Sequence, residues 1–182
     1  MRVCIDAGHG GTDPGASANG ITESDWAMEF AQRVGHHVRK GGHETVLTRA
    51  SNRAVAIATR AAIAVERKCD LFISIHCNAA GSSTATGAEV FVAPTGAYAA
   101  NSRAVGETVL RACQEQGLDS RGVKLDSQSQ HKSLGVLRGT CERMPAVLLE
   151  VGFLSSAFDS KLLKNKYWRE SLTEKIAAAL VR

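Results

Sequence analysis

Two apolar runs do most to limit what this chain can fold into. Residues 70–75 (with Leu71-Phe72-Ile73-Ser74-Ile75) and 146–149 (Ala146-Val147-Leu148-Leu149) are apolar at nearly every position. A strand of that kind must be covered on both faces, as strands inside a parallel sheet are. Helical spacing stands between such runs. From Glu23, residues Ala27, Phe30, Ala31, Val34 and Val38 share one face until Gly41-Gly42 stops the pattern. Further helices are predicted over 54–68 (Ile57, Ala61 and Val65 in one stripe) and 100–116 (Val105, Val109 and Cys113). Two more close the chain, the second with Trp168, Leu172, Ile176 and Leu180 in register. Strands are predicted at 2–6, 43–48, 70–75, 88–92, 134–137 and 146–149. Segments 8–20, 79–86 and 118–132 read as loops. The last is polar, aperiodic and long enough to be functional or mobile. The alternation predicts an α/β domain with a mostly parallel sheet and helices on both faces.

Composition fits one domain and little else. The chain has 182 residues, 44% apolar and 22% charged, close to an average soluble domain. That size supports a single core spanning 1–182. With 5% aromatic residues, the core is built from Ala, Val, Leu and Ile. The formal charge of +4 suits an anionic partner such as a cell-wall polyanion, and equally suits plain solubility. No Lys/Arg cluster marks a nucleic-acid footprint. No run approaches the ~18 apolar residues of a membrane span, and the N-terminal apolar run is too short for a signal peptide. The five cysteines include no CxxC pair and read as reduced, buried small side chains. The expectation is a monomer made in the cytoplasm without a signal peptide, or a domain of a secreted parent.

In open α/β sheets, sites form beyond the carboxyl ends of the strands. The first strand leads to His9, the third ends Ile75-His76, and a late one ends Leu148-Leu149-Glu150. Glu23 opens the first helix. Parallel neighbours would bring these residues to one rim. Two histidines and a carboxylate are the donor set of a catalytic zinc, and a second carboxylate can take a proton from the attacking water. Taken singly, each residue has a plainer reading. His9 fits a turn, His76 a satisfied strand-end histidine, and Glu23 a first-turn acid favoured by the helix dipole. Glu150 stands out, because a carboxylate after four apolar strand residues is costly to bury alone. Rival motifs fail. Gly8-x-Gly10-x-x-Asp13 lacks the third glycine of a dinucleotide loop, and neither GK[ST] nor GxSxG occurs. Cys77 and His76 are strand neighbours pointing to opposite faces, so they cannot pair, and Cys77 reads as core.

In sequence order, four blocks carry a resemblance: Ile5-Asp6-Ala7-Gly8-His9-Gly10-Gly11-Thr12-Asp13-Pro14-Gly15-Ala16, Gly20-Ile21-Thr22-Glu23-Ser24-Asp25, Leu71-Phe72-Ile73-Ser74-Ile75-His76-Cys77-Asn78-Ala79, and Pro145-Ala146-Val147-Leu148-Leu149-Glu150-Val151-Gly152-Phe153-Leu154-Ser155. Weaker matches are Thr48-Arg49, Arg60 and Arg121-Gly122-Val123. Together they resemble the zinc-dependent N-acetylmuramoyl-L-alanine amidases of the Amidase_3 family, which include bacterial autolysins and phage endolysins. The resemblance implies a twisted, mostly parallel six-stranded sheet. It implies one zinc ion held by His9, Glu23 and His76, with Glu150 as the catalytic carboxylate. The implied reaction is hydrolysis of the amide between N-acetylmuramic acid and L-alanine in peptidoglycan. Arg121, Lys124 and Arg138 are candidates to bind the anionic stem peptide, or are solvated surface charges. Asp6 or a backbone carbonyl is the candidate to orient a histidine. Ala7, Cys77 and Ser156 depart from the family's usual proline, alanine and asparagine, none at a proposed site position. Segment 118–132 is too short and polar for the helical insertion of autoinhibited members, so an open cleft is expected. The alternatives are a zinc peptidase acting within stem peptides and a non-catalytic wall-binding module.

Overall fold

A computed structural model describes residues 1–181. Its chain order is β1 (Arg2–Ala7), β2 (Ser17–Ala18), β3 (Ile21–Thr22), α1 (Glu23–Lys40), β4 (Glu44–Leu47), α2 (Ile57–Glu66), β5 (Leu71–Asn78), β6 (Ala88–Val92), α3 (Ala99–Gln114), β7 (Ser120–Leu125), α4 (Gly135–Arg138), β8 (Ala146–Phe153), α5 (Ala157–Lys164) and α6 (Lys166–Leu180). The main sheet has six strands in the order β4-β1-β5-β8-β6-β7. Neighbours β4-β1, β1-β5, β5-β8 and β6-β7 are parallel, and β6 runs antiparallel to β8. The α/β architecture is therefore as the apolar runs required: β5 and β8 lie at the centre of the sheet.

Alternation along the strands divides the core. Val3, Ile5, Ile73, Ile75, Val147 and Leu149 face α1, α3 and α6. Cys4, Phe72, Phe91, Ala146 and Leu148 face the other way, with Ala64 of α2 and Val136 and Leu137 of α4. All five cysteines are buried and free. Cys77 belongs to the larger core cluster, and burial pushes its thiol well above the ordinary range. Among the described residues no helix is long and apolar enough to cross a membrane.

The structure corrects three local expectations. Residues 134–137 form a short helix, not a strand: Leu137 N–H donates to Leu134 O, Cys141 N–H donates to Leu137 O, and adjacent Val136 and Leu137 are both buried. An apolar run of four residues does not separate the two states. Segment 118–132 is not all loop. It contains the edge strand β7, which buries only part of one face and is bent at Gly122 (φ +88°), so its alternation is weak. Ile57 does not join the core stripe of α2 but is 61% exposed at its first turn.

Candidate metal centre and cleft

The carboxyl ends of β1, β5 and β8 and the start of α1 meet at one rim. Register places His76 beside Glu150, and Glu150 beside Glu89 of β6, so three polar side chains cross three adjacent apolar strands in a row. His9 sits past β1 in a left-handed conformation (φ 58°). Close packing requires glycine on either side of it. A Cβ at Gly8 would lie 2.3 Å from the His76 ring, and one at Gly15 2.7 Å from Glu23 Oε2. Two buried arginines hold this loop. Arg49 donates to the carbonyls of Ala7, Gly8 and Ser24, and Arg60 to those of Ala7 and His9 and to Asp6.

Glu23 is the hub. Its Oε1 lies 3.0 Å from His9 Nε2 and 3.0 Å from His76 Nδ1, and its Oε2 accepts from Ala16 N–H at 2.9 Å. One donor atom from each of His9, Glu23 and His76 falls within 4.8 Å of the others. Tetrahedral zinc ligands at about 2.0–2.2 Å from the ion stand roughly 3.3 Å apart, so the cluster fits such an ion in spacing and in donor chemistry. Burial opposes the Glu23 charge, but hydrogen bonds from His76 and His9 outweigh it and hold the carboxyl far below its ordinary range. The Glu23 hydrogen bond in turn lifts His9 to about 9. Burial works against a charged His76, yet its bond to Glu23 and the nearby Glu150 charge raise it. In the metal-free protein, His9 is thus an imidazolium gripping the Glu23 carboxylate, a positive charge that a cation would replace.

Glu150 is half-buried across the cleft. Its Oε2 has no hydrogen-bond partner among the described residues, and desolvation pushes its pKa up to about 7 despite His76. Of the other anticipated residues, Arg121 and Lys124 line the cleft. Arg138 is not brought into it: its guanidinium grips the fully buried Asp126 (Nε–Oδ2 2.6 Å, Nη2–Oδ1 2.8 Å) and ties the 126–134 segment down.

Asp6 does not orient a histidine. It accepts from Thr48, Ser74 and Arg60, and Asp13 takes that role instead, 2.8 Å from His9 Nδ1. Asp13 stands four residues beyond His9, across a turn whose pairing no periodicity reveals. Glu89 also escaped the sequence reading. It is buried, bonded to Asn78 (2.7 Å), Lys124 and Arg121 (3.3 Å), and borders the same cavity of about 500 Å³. Like Glu150, it is a carboxylate inside an apolar strand, costly to bury without partners.

Fold and donor set together define an α/β domain with a candidate metal centre at its strand ends. Residues 3–182 match the N-acetylmuramoyl-L-alanine amidase family model (Amidase_3), and the chain belongs to that family. It is 31% identical to N-acetylmuramoyl-L-alanine amidase LytC of Bacillus subtilis, over 96% of this chain and 34% of that protein. It is 32% identical to the "Probable cell wall amidase LytH" of Staphylococcus aureus, over 98% of this chain and 56% of that one. The chain thus spans between a third and somewhat over half of these relatives. Among solved structures, the catalytic domain of the amidase CwlV from Bacillus (Paenibacillus) polymyxa superposes with a TM-score of 0.83 at 31% identity, covering 98% of this chain and 94% of that one. The amidase AmiC2 of Nostoc punctiforme gives 0.87 at 28%, covering 100% and 95%.

Proposed function

We propose that this domain is a zinc-dependent peptidoglycan hydrolase that cleaves the amide between the lactyl group of N-acetylmuramic acid and L-alanine. The observation that carries the reading is the convergence of the His9, Glu23 and His76 donors opposite Glu150, in a chain of this family. Two imidazoles and one carboxylate suit zinc and leave a coordination position for substrate or water. Bound zinc supplies the Lewis acidity that polarises the scissile carbonyl and acidifies the attacking water. His9, Glu23 and His76 would hold the ion, and Asp13, bonded to His9 Nδ1, would leave Nε2 free to ligate. Glu150, with a pKa near 7 and a free Oε2, takes the proton from the water and returns it to the departing alanine nitrogen. Arg121 and Lys124 receive carboxylates of the stem peptide, while Arg138 braces the cleft wall through Asp126.

Purified cell walls test the reading. Lysis should stop on chelation, return with added zinc, and be absent in His76→Ala. Lysis that persists in metal-free protein overturns it, and wall binding without lysis by the zinc-loaded protein favours a non-catalytic module.

A further inference from the structure

The cleft continues beyond the metal centre. A second cavity of about 390 Å³ adjoins the first, and His9, His76, His131, Leu134 and Leu148 line both. Each volume lies within the roughly 300–1,000 Å³ of small-molecule sites. The two arms differ in what they offer. In the first, Arg121 is already ordered: Nε donates to Glu89, Nη1 to Thr86 O, and the guanidinium lies 4.9 Å from the centre of the Phe153 ring. Its Nη2 has no hydrogen bond among the described residues, and Lys124 stands beside it on Glu89. A cation pre-oriented in this way loses little freedom when it receives an anion.

In the second arm the Asp and Arg side chains are already bonded within the protein. Asp6 is taken by Thr48, Ser74 and Arg60, Asp13 by His9, and Arg60 by Asp6 and backbone carbonyls. It presents Val55, Ile57, Leu134 and Val136 instead. That accounts for the exposure of Ile57: it sits at the lip of a cavity, not in the core.

The two halves of a muramyl-peptide amide differ in the same sense. The peptide half carries free carboxylates. The acyl half within the polymer is an uncharged pyranose with acetyl and lactyl methyl groups. Building on the amidase reading, we infer that the substrate crosses the metal centre in one direction, with its peptide in the Arg121–Lys124 arm and its muramyl half in the Val55–Ile57 arm. Ile57 and Arg121 then act as specificity residues for opposite halves of one substrate.

Two measurements test the direction. In amide NMR spectra of the zinc-loaded protein, the tripeptide L-Ala-D-Glu-L-Lys should shift resonances around Glu89, Arg121 and Lys124. N-acetylmuramic acid with its lactyl carboxyl blocked as an N-methylamide should shift those around Val55, Ile57 and Gly135. In kinetics, Ile57→Asp, at an exposed position in the first turn of α2, should raise KM several-fold for a muramyl peptide. It should leave KM unchanged for the same peptide acylated by lactate alone. Arg121→Gln should raise KM about tenfold or more for both, the loss of one charged hydrogen bond. Shifts in the reverse arms, in the same arm for both probes or in neither overturn the inference, as does an Ile57→Asp effect equal on the two substrates. If walls are cut at the lactyl–alanine bond while the probes map otherwise, the direction alone fails. If that bond is not cut, the amidase reading fails first.

Discussion

Glu150 is half-buried, with its Oε2 shut from solvent and unpaired, and the two consequences pull in opposite directions. In the proposed role of base it would have to lose its proton near neutral pH, which its position at about 7 permits. As a buried group it then costs stability. Its folded pKa lies above the ordinary 4.5. It therefore weakens the metal-free fold progressively as pH rises from about 4.5 through 7, by up to about 3 kcal/mol. Glu150→Gln should abolish cleavage, retain zinc, and stabilise the metal-free protein at pH 8 but not at pH 4.5; urea unfolding at the two pH values reads the difference. His9, near 9, is protonated at pH 7 without metal. Zinc binding at pH 7 should thus release at least one proton, measured as a dependence of calorimetric heat on buffer ionisation enthalpy. Heats independent of buffer would contradict the protonated-imidazole account. At this scale the sequence was legible where a charge broke an apolar strand, as at Glu150. Asp13 was not legible, because its contact with His9 depends on a turn and leaves no periodic trace.

Elements place these residues. The glycine-rich loop after β1 has little apolar surface of its own, and Arg49 replaces a core there by binding carbonyls from β1, the loop and α1. Arg49 is fully buried, and desolvation lowers its pKa. A lysine has one nitrogen where arginine has a fork. Arg49→Lys should leave buried carbonyls unpaired, lower stability by about 2–4 kcal/mol and weaken zinc binding at least tenfold, because both Gly8, beside His9, and Ser24, beside Glu23, lose their tie. Equilibrium unfolding and zinc titration together check it; unchanged zinc affinity in a destabilised fold would confine Arg49 to a structural role. The long elements were readable from periodicity, since β5, β8 and α1 bury whole faces. Strand β7 and helix α4 were not. The first lies at a sheet edge with none of its residues fully buried, and the second is a single turn.

For the whole molecule, sheet order turns dispersed blocks into a site. His9, His76 and Glu150 are separated by dozens of residues, yet β1, β5 and β8 are consecutive in the sheet and parallel, so their carboxyl ends coincide. The apolar runs pointed to buried, mostly parallel strands but not to their order; the adjacency of β1, β5 and β8, and the antiparallel insertion of β6 that brings Glu89 in, come from the structure. Since α1 also contributes Glu23, a metal bound by this donor set would link separate parts of the fold. Zinc at a hundredfold excess over its dissociation constant should add about 2.7 kcal/mol and raise Tm by roughly 5–10 °C at this chain length. A Tm unmoved by zinc would contradict the assigned donors. The chemistry itself is decided by which bond breaks. Mass spectrometry of peptidoglycan digested by the zinc-loaded domain should find intact stem peptides with a free N-terminal L-alanine and glycan strands with free lactyl carboxyls. New termini inside the stem peptide, with the lactyl–alanine bond intact, would contradict the account.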